Sequence, residues 1–287
     1  NGPAFSDVNQ PNLNLALLER GFTDALLIGP DSKMNLASET LRRKPVLLLR
    51  GSFRPVTTAN VEMLEASARQ FVADAELGAN EPAIVLEMTI RNLLAHDLAE
   101  RRTILGIADS LAALGHYVLI TDYPEYFRLS NYLRRYTDEP IAILVGTNNL
   151  FHLFDGKFYD SLEGGILEAF GRLFSQRVRM YAYPMAREPF ESHCESRGID
   201  LARLGVGTEE LVTAENLQVY PDQQELYRYM LNSGLIRPIA QYDIDRTRVY
   251  SSSVRALLEQ GNPAWKTAVP AAAAKVIEEL ELFKRDE

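Results

Sequence analysis

The sequence predicts an α/β protein, a doubly wound and mainly parallel sheet with a helical C-terminus. Three observations predict it. Short apolar runs recur along the chain, most of them continuously hydrophobic rather than alternating, as strands covered on both faces are. Helix-period segments lie between the runs, and steady alternation of the two requires right-handed crossovers. Finally, the run KPVLLL stops abruptly at RGSFRP and a helical pattern starts almost at once. Open sheets deliver backbone amides to a ligand at such turns. A closed eight-stranded barrel is the alternative, and the clear strands are too few for it.

The predicted strands, in order, are Ala25–Ile28, Val46–Leu49, Ala83–Met88, Tyr117–Thr121, Ile141–Val145 and Val178–Tyr183. The first is weak and belongs to residues 1–43, which read as an extension packed on a domain spanning 44–287. Helical periodicity marks Val61–Ala73 after the second run, Thr103–Leu114 before the fourth, Tyr126–Tyr136 after it and Leu162–Phe174 before the sixth. From about 185 to 245 charge and glycine replace periodicity, so a loop or small insertion is expected there, with a helix at Gln223–Leu231. Two helices close the chain, Ser252–Gln260 and Pro270–Phe283, joined by GNPAW. The Ala271–Ala274 run is good helix former.

The 287 residues are enough for a well-buried core, and 46% apolar with 24% charged is ordinary globular composition. A net charge of −9 argues against whole-surface binding to nucleic acid or an anionic membrane, while leaving room for a local basic pocket. With one cysteine, Cys194, there is no internal disulfide, so a reducing compartment, most simply the cytoplasm, is expected. No apolar run has the length of a membrane helix and no secretory-type segment opens the sequence given. It starts at Asn1 rather than Met, as a segment of a longer chain would. A homo-oligomer is compatible with the composition.

Three stretches carry chemistry. In RGSFRPVTTAN, Gly51 permits close backbone approach, Pro55 fixes the turn, and Thr57 and Thr58 are candidate caps for the helix that follows. Its free N–H groups and dipole favour an anion. In YSSSVRALLEQGNPAWKTAVP, Ser251, Ser252 and Ser253 offer hydroxyls and amides at a helix start, with Arg255 close by, a combination able to grip polyphosphate. Between them, the strand IAILV ends in Gly146-Thr147-Asn148. Each also has a plain structural reading, as a strand-to-helix turn, an N-cap with an exposed arginine and a strand end.

Together, in this order, they resemble the nucleotidylyltransferase superfamily, which includes nicotinamide mononucleotide and phosphopantetheine adenylyltransferases. That family opens with Gly-Ser/Thr-Phe-Asp/Asn-Pro and His/Thr-x-Gly-His, ends its fourth strand in Gly-x-Asp, and closes with a serine/threonine-rich helix start, an arginine, Gly, an aromatic and Val-Pro. The match spans Val46 to Phe283, with about 185–245 outside it. The resemblance implies a Rossmann-like fold and adenylyl transfer from ATP to a mononucleotide, with Mg²⁺, as in NAD biosynthesis. It implies ATP contacts by Gly51, Ser52, Phe53, Gly146 and Asn148, a pyrophosphate grip by Ser252, Ser253 and Arg255, and Arg54, Thr57 and Asn60 beside the α-phosphate.

The departures share a direction. The family's acid is Arg54 here, its final His is Asn60, and its strand-four acid is Asn148. Losing one electrostatic contact of this kind costs roughly a hundred- to thousandfold in rate. Two readings stay open. One is compensation, with Arg54 supplying the cation. The other is a noncatalytic nucleotide-binding sensor or scaffold derived from such an enzyme.

Other candidates have weaker patterns. Glu87, Asp122 and Glu125 fall at strand ends, where they could bind Mg²⁺ or exchange protons, or simply cap helices. Arg91, Arg101 and Arg102 suit an anionic pocket or an exposed helix face. His96, His116, His152 and His193 lack zinc-helix spacing. Cys194 reads as a surface cysteine in a loop. Tyr123, Tyr126, Tyr132 and Tyr136 read as packing residues, and Glu163-Gly164-Gly165 as a flexible turn.

Overall fold

The computed structural model describes residues 10–94, 101–175, 177–199 and 207–283; His96 lies outside them. Its strands are β1 (Ala25–Ile28), β2 (Met34–Asn35), β3 (Val46–Arg50), β4 (Ala83–Thr89), β5 (Tyr117–Thr121), β6 (Ile141–Gly146), β7 (Val178–Tyr183), β8 (Met185–Ala186), β9 (Leu211–Val212) and β10 (Ile236–Pro238). The described α-helices are α1 (Gln10–Glu19), α2 (Ala37–Thr40), α3 (Thr58–Asp74), α4 (Ile90–Leu94), α5 (Arg101–Ala112), α6 (Tyr126–Arg134), α7 (Thr147–Leu153), α8 (Gly165–Leu173), α9 (Arg187–Glu195), α10 (Gln224–Asn232), α11 (Ser251–Glu259) and α12 (Ala271–Glu279).

Eight strands form one sheet in the order β10-β7-β6-β3-β4-β5-β1-β2. From β10 across to β5 every neighbouring pair is parallel. The fold is therefore doubly wound and Rossmann-like. β3 leads through α3 to β4 on one side, and the chain later returns through α6 to place β6 on the other side of β3. That reversal puts the topological switch point between β3 and β6, where Leu49 is in register with Leu144.

Side-chain alternation divides the core between the two faces. Leu47 and Leu49 of β3 face a cluster with Met63 and Phe71 of α3, Ile104 of α5, Val254 of α11 and Ile277 of α12. Val46 and Leu48 face Leu133 of α6, Phe151 of α7, Phe170 of α8 and Tyr227 of α10. All four side chains in this part of β3 are buried, which explains the unbroken apolar run.

The N-terminal residues belong to the sheet. β1 pairs antiparallel with β5, and β2 with β1. In the 185–245 stretch, expected to be a loop or small insertion, α9 packs beneath the sheet, β8 pairs with β9, and β10 becomes a sheet strand beside β7. Among the described residues no helix is long and apolar enough to cross a membrane.

Cys194 corrects a sequence expectation. It lies on α9, 0% exposed, rather than in a surface loop. Phe190, one turn earlier, is buried beside it in the same cluster. Burial pushes the Cys194 thiol up to about 11, as expected of a packing cysteine rather than a nucleophile.

The same helix brings together two histidines 41 residues apart, His152 on α7 and His193 on α9, with their Nε2 atoms 2.8 Å apart. One ring must donate and the other accept, so the accepting ring must be neutral and the contact is lost when both are protonated. Burial first, then His193 and Arg197, push His152 down to about 4, and burial and Arg197 lower His193. An unfolded chain holding ordinary histidines takes up protons that the folded one refuses. This contribution is therefore full above about pH 6.5 and is lost as pH falls toward 4. Discounting for half-exposed rings, the wild type should lose roughly 1–2 kcal/mol from this source between pH 7 and 5. Urea midpoints should fall across that range more steeply for wild type than for His193→Phe; parallel profiles would rule the pair out as the cause.

Candidate functional site

The sheet's C-terminal edge is built around a buried ion pair. Arg50 closes β3, and its Nε and Nη2 donate to the two carboxylate oxygens of Glu87 on β4 at 2.6 and 3.0 Å. Nη1 and Nη2 also donate to the carbonyls of Pro124 and Tyr123 after β5, and Thr121 Oγ1 donates to Glu87 Oε1. Tyr126 lies under the guanidinium, 4.7 Å from ring centre to Cζ. Arg50 is 8% exposed and Glu87 0%. Burial opposes the Arg50 charge, yet the Glu87 carboxylate outweighs it and holds the guanidinium pKa above its ordinary value. Glu87 is thus committed to the scaffold, which answers the sequence's question about that residue.

The next residues form the turn. Gly51 N–H continues the ladder to the Glu87 carbonyl. A Cβ on Gly51 would stand 3.0 Å from the Phe53 ring, so a side chain there would press on the loop's own aromatic residue. Phe53 is buried and adopts φ +47°, a left-handed value that few non-glycine residues take. The N–H groups of Ser52, Phe53 and Arg54 meet no acceptor among the described residues. They and β6 flank the switch point.

Thr57 caps α3. Its hydroxyl meets Asn60 N–H at 3.4 Å and donates to Asn60 Oδ1 at 3.1 Å, while Thr57 N–H donates to the same oxygen at 2.9 Å. This is a reciprocal capping box with Asn60 at the third helical position. Both polar side chains are therefore engaged with each other. Thr58 N–H donates to Ala268 O, and Arg246 Nη1 donates to Thr58 Oγ1. The segment flanking α11 thus wraps the start of α3.

That wrapping leaves the Arg255 charge near enough to be felt at Arg54. Burial first, and the Arg255 charge second, lower the Arg54 pKa, with Glu259 working against them. Arg54 Nε is buried with no hydrogen-bond partner among the described residues. Arg255 is half-buried and pairs with Glu259 at 3.4 Å, an exposed i,i+4 contact worth only about 0.3–0.5 kcal/mol and readily exchanged. α11 itself has no side-chain N-cap bond. Ser253 Oγ donates back to Tyr250 O, while Ser252 is exposed.

On the β6 side, Gly146 ends the strand and caps α7; a Cβ there would meet Asn148 Oδ1 at 2.8 Å. Asn148 is half-exposed, and Thr147 is fully buried with its hydroxyl unpartnered among the described residues. Sequence reasoning quoted Thr147 without assigning it a part, and passed over Arg50 and Arg246. Thr147's signal was its place in the Gly-x-Asn strand end. Arg246 had none, because its partner is 188 residues away.

The remaining candidates resolve into pairs. Asp122 is bound by Arg91, Glu125 by Arg128, and Arg101 by Glu19; Arg102 is exposed. No group of metal-ligating side chains occurs among the described residues. Glu87, held in its buried pair with Arg50, is not free to ligate Mg²⁺, which takes one or two free carboxylates besides phosphate and water. Two cavities lie elsewhere. One of about 220 Å³ is at the opposite end of the strands, beside Lys44, Glu81 and His116. One of about 280 Å³ lies past β7 and β10, beside Pro184, Thr213 and Tyr242. Neither includes Gly51–Pro55 or Gly146–Asn148.

The scaffold role of Arg50 has a measurable consequence. Arg50→Met should cost about 3–5 kcal/mol in urea unfolding at pH 7, because Glu87 is left buried without its counter-ion. Arg50→Met combined with Glu87→Leu should regain most of that loss. A cost under about 1 kcal/mol for the single variant would remove the ion pair from this role.

No family model matches this chain, and no curated protein matches it. Among solved structures it is similar to the nicotinic acid mononucleotide adenylyltransferase of Plasmodium falciparum complexed with APC, with a TM-score of 0.39 and 12% identity over 84% of this chain and 98% of that one. It is also similar to the same protein complexed with NaAD, with a TM-score of 0.35 and 11% identity over 84% and 98%. At TM-scores of this size, function has to be argued from the chain's own residues.

Proposed function

We propose that the crevice between β3 and β6 binds the phosphates of a nucleotide, and that the chain is an adenylyltransferase joining ATP to a mononucleotide, as in NAD biosynthesis. The observation that carries this reading is the loop of open amides at residues 52–54 with the buried, unpartnered Arg54 Nε, within reach of the Arg255 charge. Two guanidiniums kept together repel, and a polyphosphate between them converts that repulsion into charge-assisted hydrogen bonds.

In the reaction, a phosphate oxygen of the mononucleotide attacks the α-phosphorus of ATP, the bond to the β-phosphate oxygen breaks, and pyrophosphate leaves. The amides of Ser52, Phe53 and Arg54 hold ATP, with Gly146 and Asn148 across the crevice. Arg54 and Arg255 neutralise the charge gathering on the departing pyrophosphate, helped by Ser252 and the open start of α11. Ser253 contributes its amide, since its hydroxyl is turned back on Tyr250. Gly51 contributes the turn. Thr57 and Asn60 shape the start of α3, and the Nδ2 of Asn60 is the donor left to face the α-phosphate. Divalent metal, which in the family accompanies ATP, has no fitting carboxylate set among the described residues, and no step is assigned to it.

A second reading, a noncatalytic nucleotide sensor or scaffold, is favoured by the Thr57–Asn60 box, which occupies the groups expected beside the α-phosphate. Incubation with ATP and nicotinate or nicotinamide mononucleotide separates the two. Pyrophosphate release that falls roughly a hundredfold in Arg255→Ala is the expected result. ATP binding without turnover would select the sensor, and no nucleotide binding would exclude both.

A further inference from the structure

Resting on the phosphate-binding reading, we infer that this crevice holds the polyphosphate without a divalent ion, the guanidiniums of Arg54 and Arg255 supplying the positive charge. The donor set points this way. Residues 54, 60 and 148, which line the turn, the helix start and the strand end, are Arg, Asn and Asn. Of the acids on the same edge, Glu87 is buried against Arg50, while Asp122 and Glu125 form exposed pairs with Arg91 and Arg128. Mg²⁺ dehydrates reluctantly and is held to a protein through carboxylate oxygen, so these residues offer it little.

Charge works in the same direction. A divalent cation beside Arg54 and Arg255 would add repulsion to a pair that already repels. A metal-free triphosphate brings the larger negative charge and accepts hydrogen bonds on every terminal oxygen. Arg54 Nε, buried and unpartnered among the described residues, is a donor prepared for one of them. The guanidinium fork fits two phosphate oxygens at once, and it keeps its charge at any physiological pH. The depressed Arg54 pKa agrees with this, since an anion between the two arginines removes one of its causes.

Calorimetric titration of the full chain with ATP, once in EDTA and once in excess Mg²⁺, tests the inference. ATP should bind in EDTA as tightly as in Mg²⁺ or more tightly. Binding more than about threefold tighter with Mg²⁺ would overturn the inference while leaving the nucleotide reading intact. No binding in either buffer would remove that reading, and this inference with it. Arg54→Ala, checked for an unchanged melting temperature, should weaken binding in EDTA by about 10–100-fold, with Mg²⁺ restoring part of the loss. A loss by the same factor in both buffers would deny Arg54 the metal's place.

Discussion

The buried contact between Arg50 and Glu87 is the constraint on which the rest of this edge depends. Two charges removed from water are costly, and only full hydrogen bonding makes them tolerable. Here the guanidinium reaches Glu87, Pro124 O and Tyr123 O, so three strand ends, those of β3, β4 and β5, are tied at one point. The residue so fixed is the one immediately before Gly51. The turn therefore leaves the sheet from a rigid base. The same contact fills the edge above β4 and β5 with protein atoms.

Topology and electrostatics then coincide. The chain reverses direction across the sheet between β3 and β6, and the helices after both strands begin at that gap. Backbone amides of the turn gather there because a turn of this length leaves them without carbonyl partners. The C-terminal segment adds positive charge by a separate route. Arg246 holds Thr58, Ala268 accepts from Thr58 N–H, and Arg255 comes within electrostatic reach of Arg54. A chain of net charge −9 thus keeps two arginines, Arg54 and Arg255, within electrostatic reach near the C-terminal edge of its sheet.

Much of this architecture was legible because burial leaves a simple mark. The central strands are covered on both faces, so VLLL and IAILV stand out as runs. β10 escaped because a three-residue strand, Ile-Arg-Pro, is too short to show a period. α9 escaped behind its charged surface, although the spacing of Phe190 and Cys194 recorded the buried stripe. The motifs at residues 51–60, 146–148 and 251–255 were readable as local chemistry, and a common site for them was implied by the resemblance alone. The contacts that lay residues 243–268 against the start of α3 left no local mark. Nor could the 41-residue separation of His152 and His193 announce their contact.

The start of α3 shows how stability and chemistry compete for the same atoms. A capping box contributes about 1 kcal/mol by giving partners to helix N–H groups that would otherwise have none. Asn60 Oδ1 serves that purpose here, accepting from both the amide and the hydroxyl of Thr57. A histidine at the same position could not close this box with a carboxamide oxygen, and would leave the helix start more open to an anion. Asparagine thus exchanges a cationic group at the crevice for a firmer helix start. The charge that remains sits on Arg54, one turn of chain away and beside Arg255. A positive centre carried by the loop rather than by the helix is consistent with the phosphate-holding role proposed above.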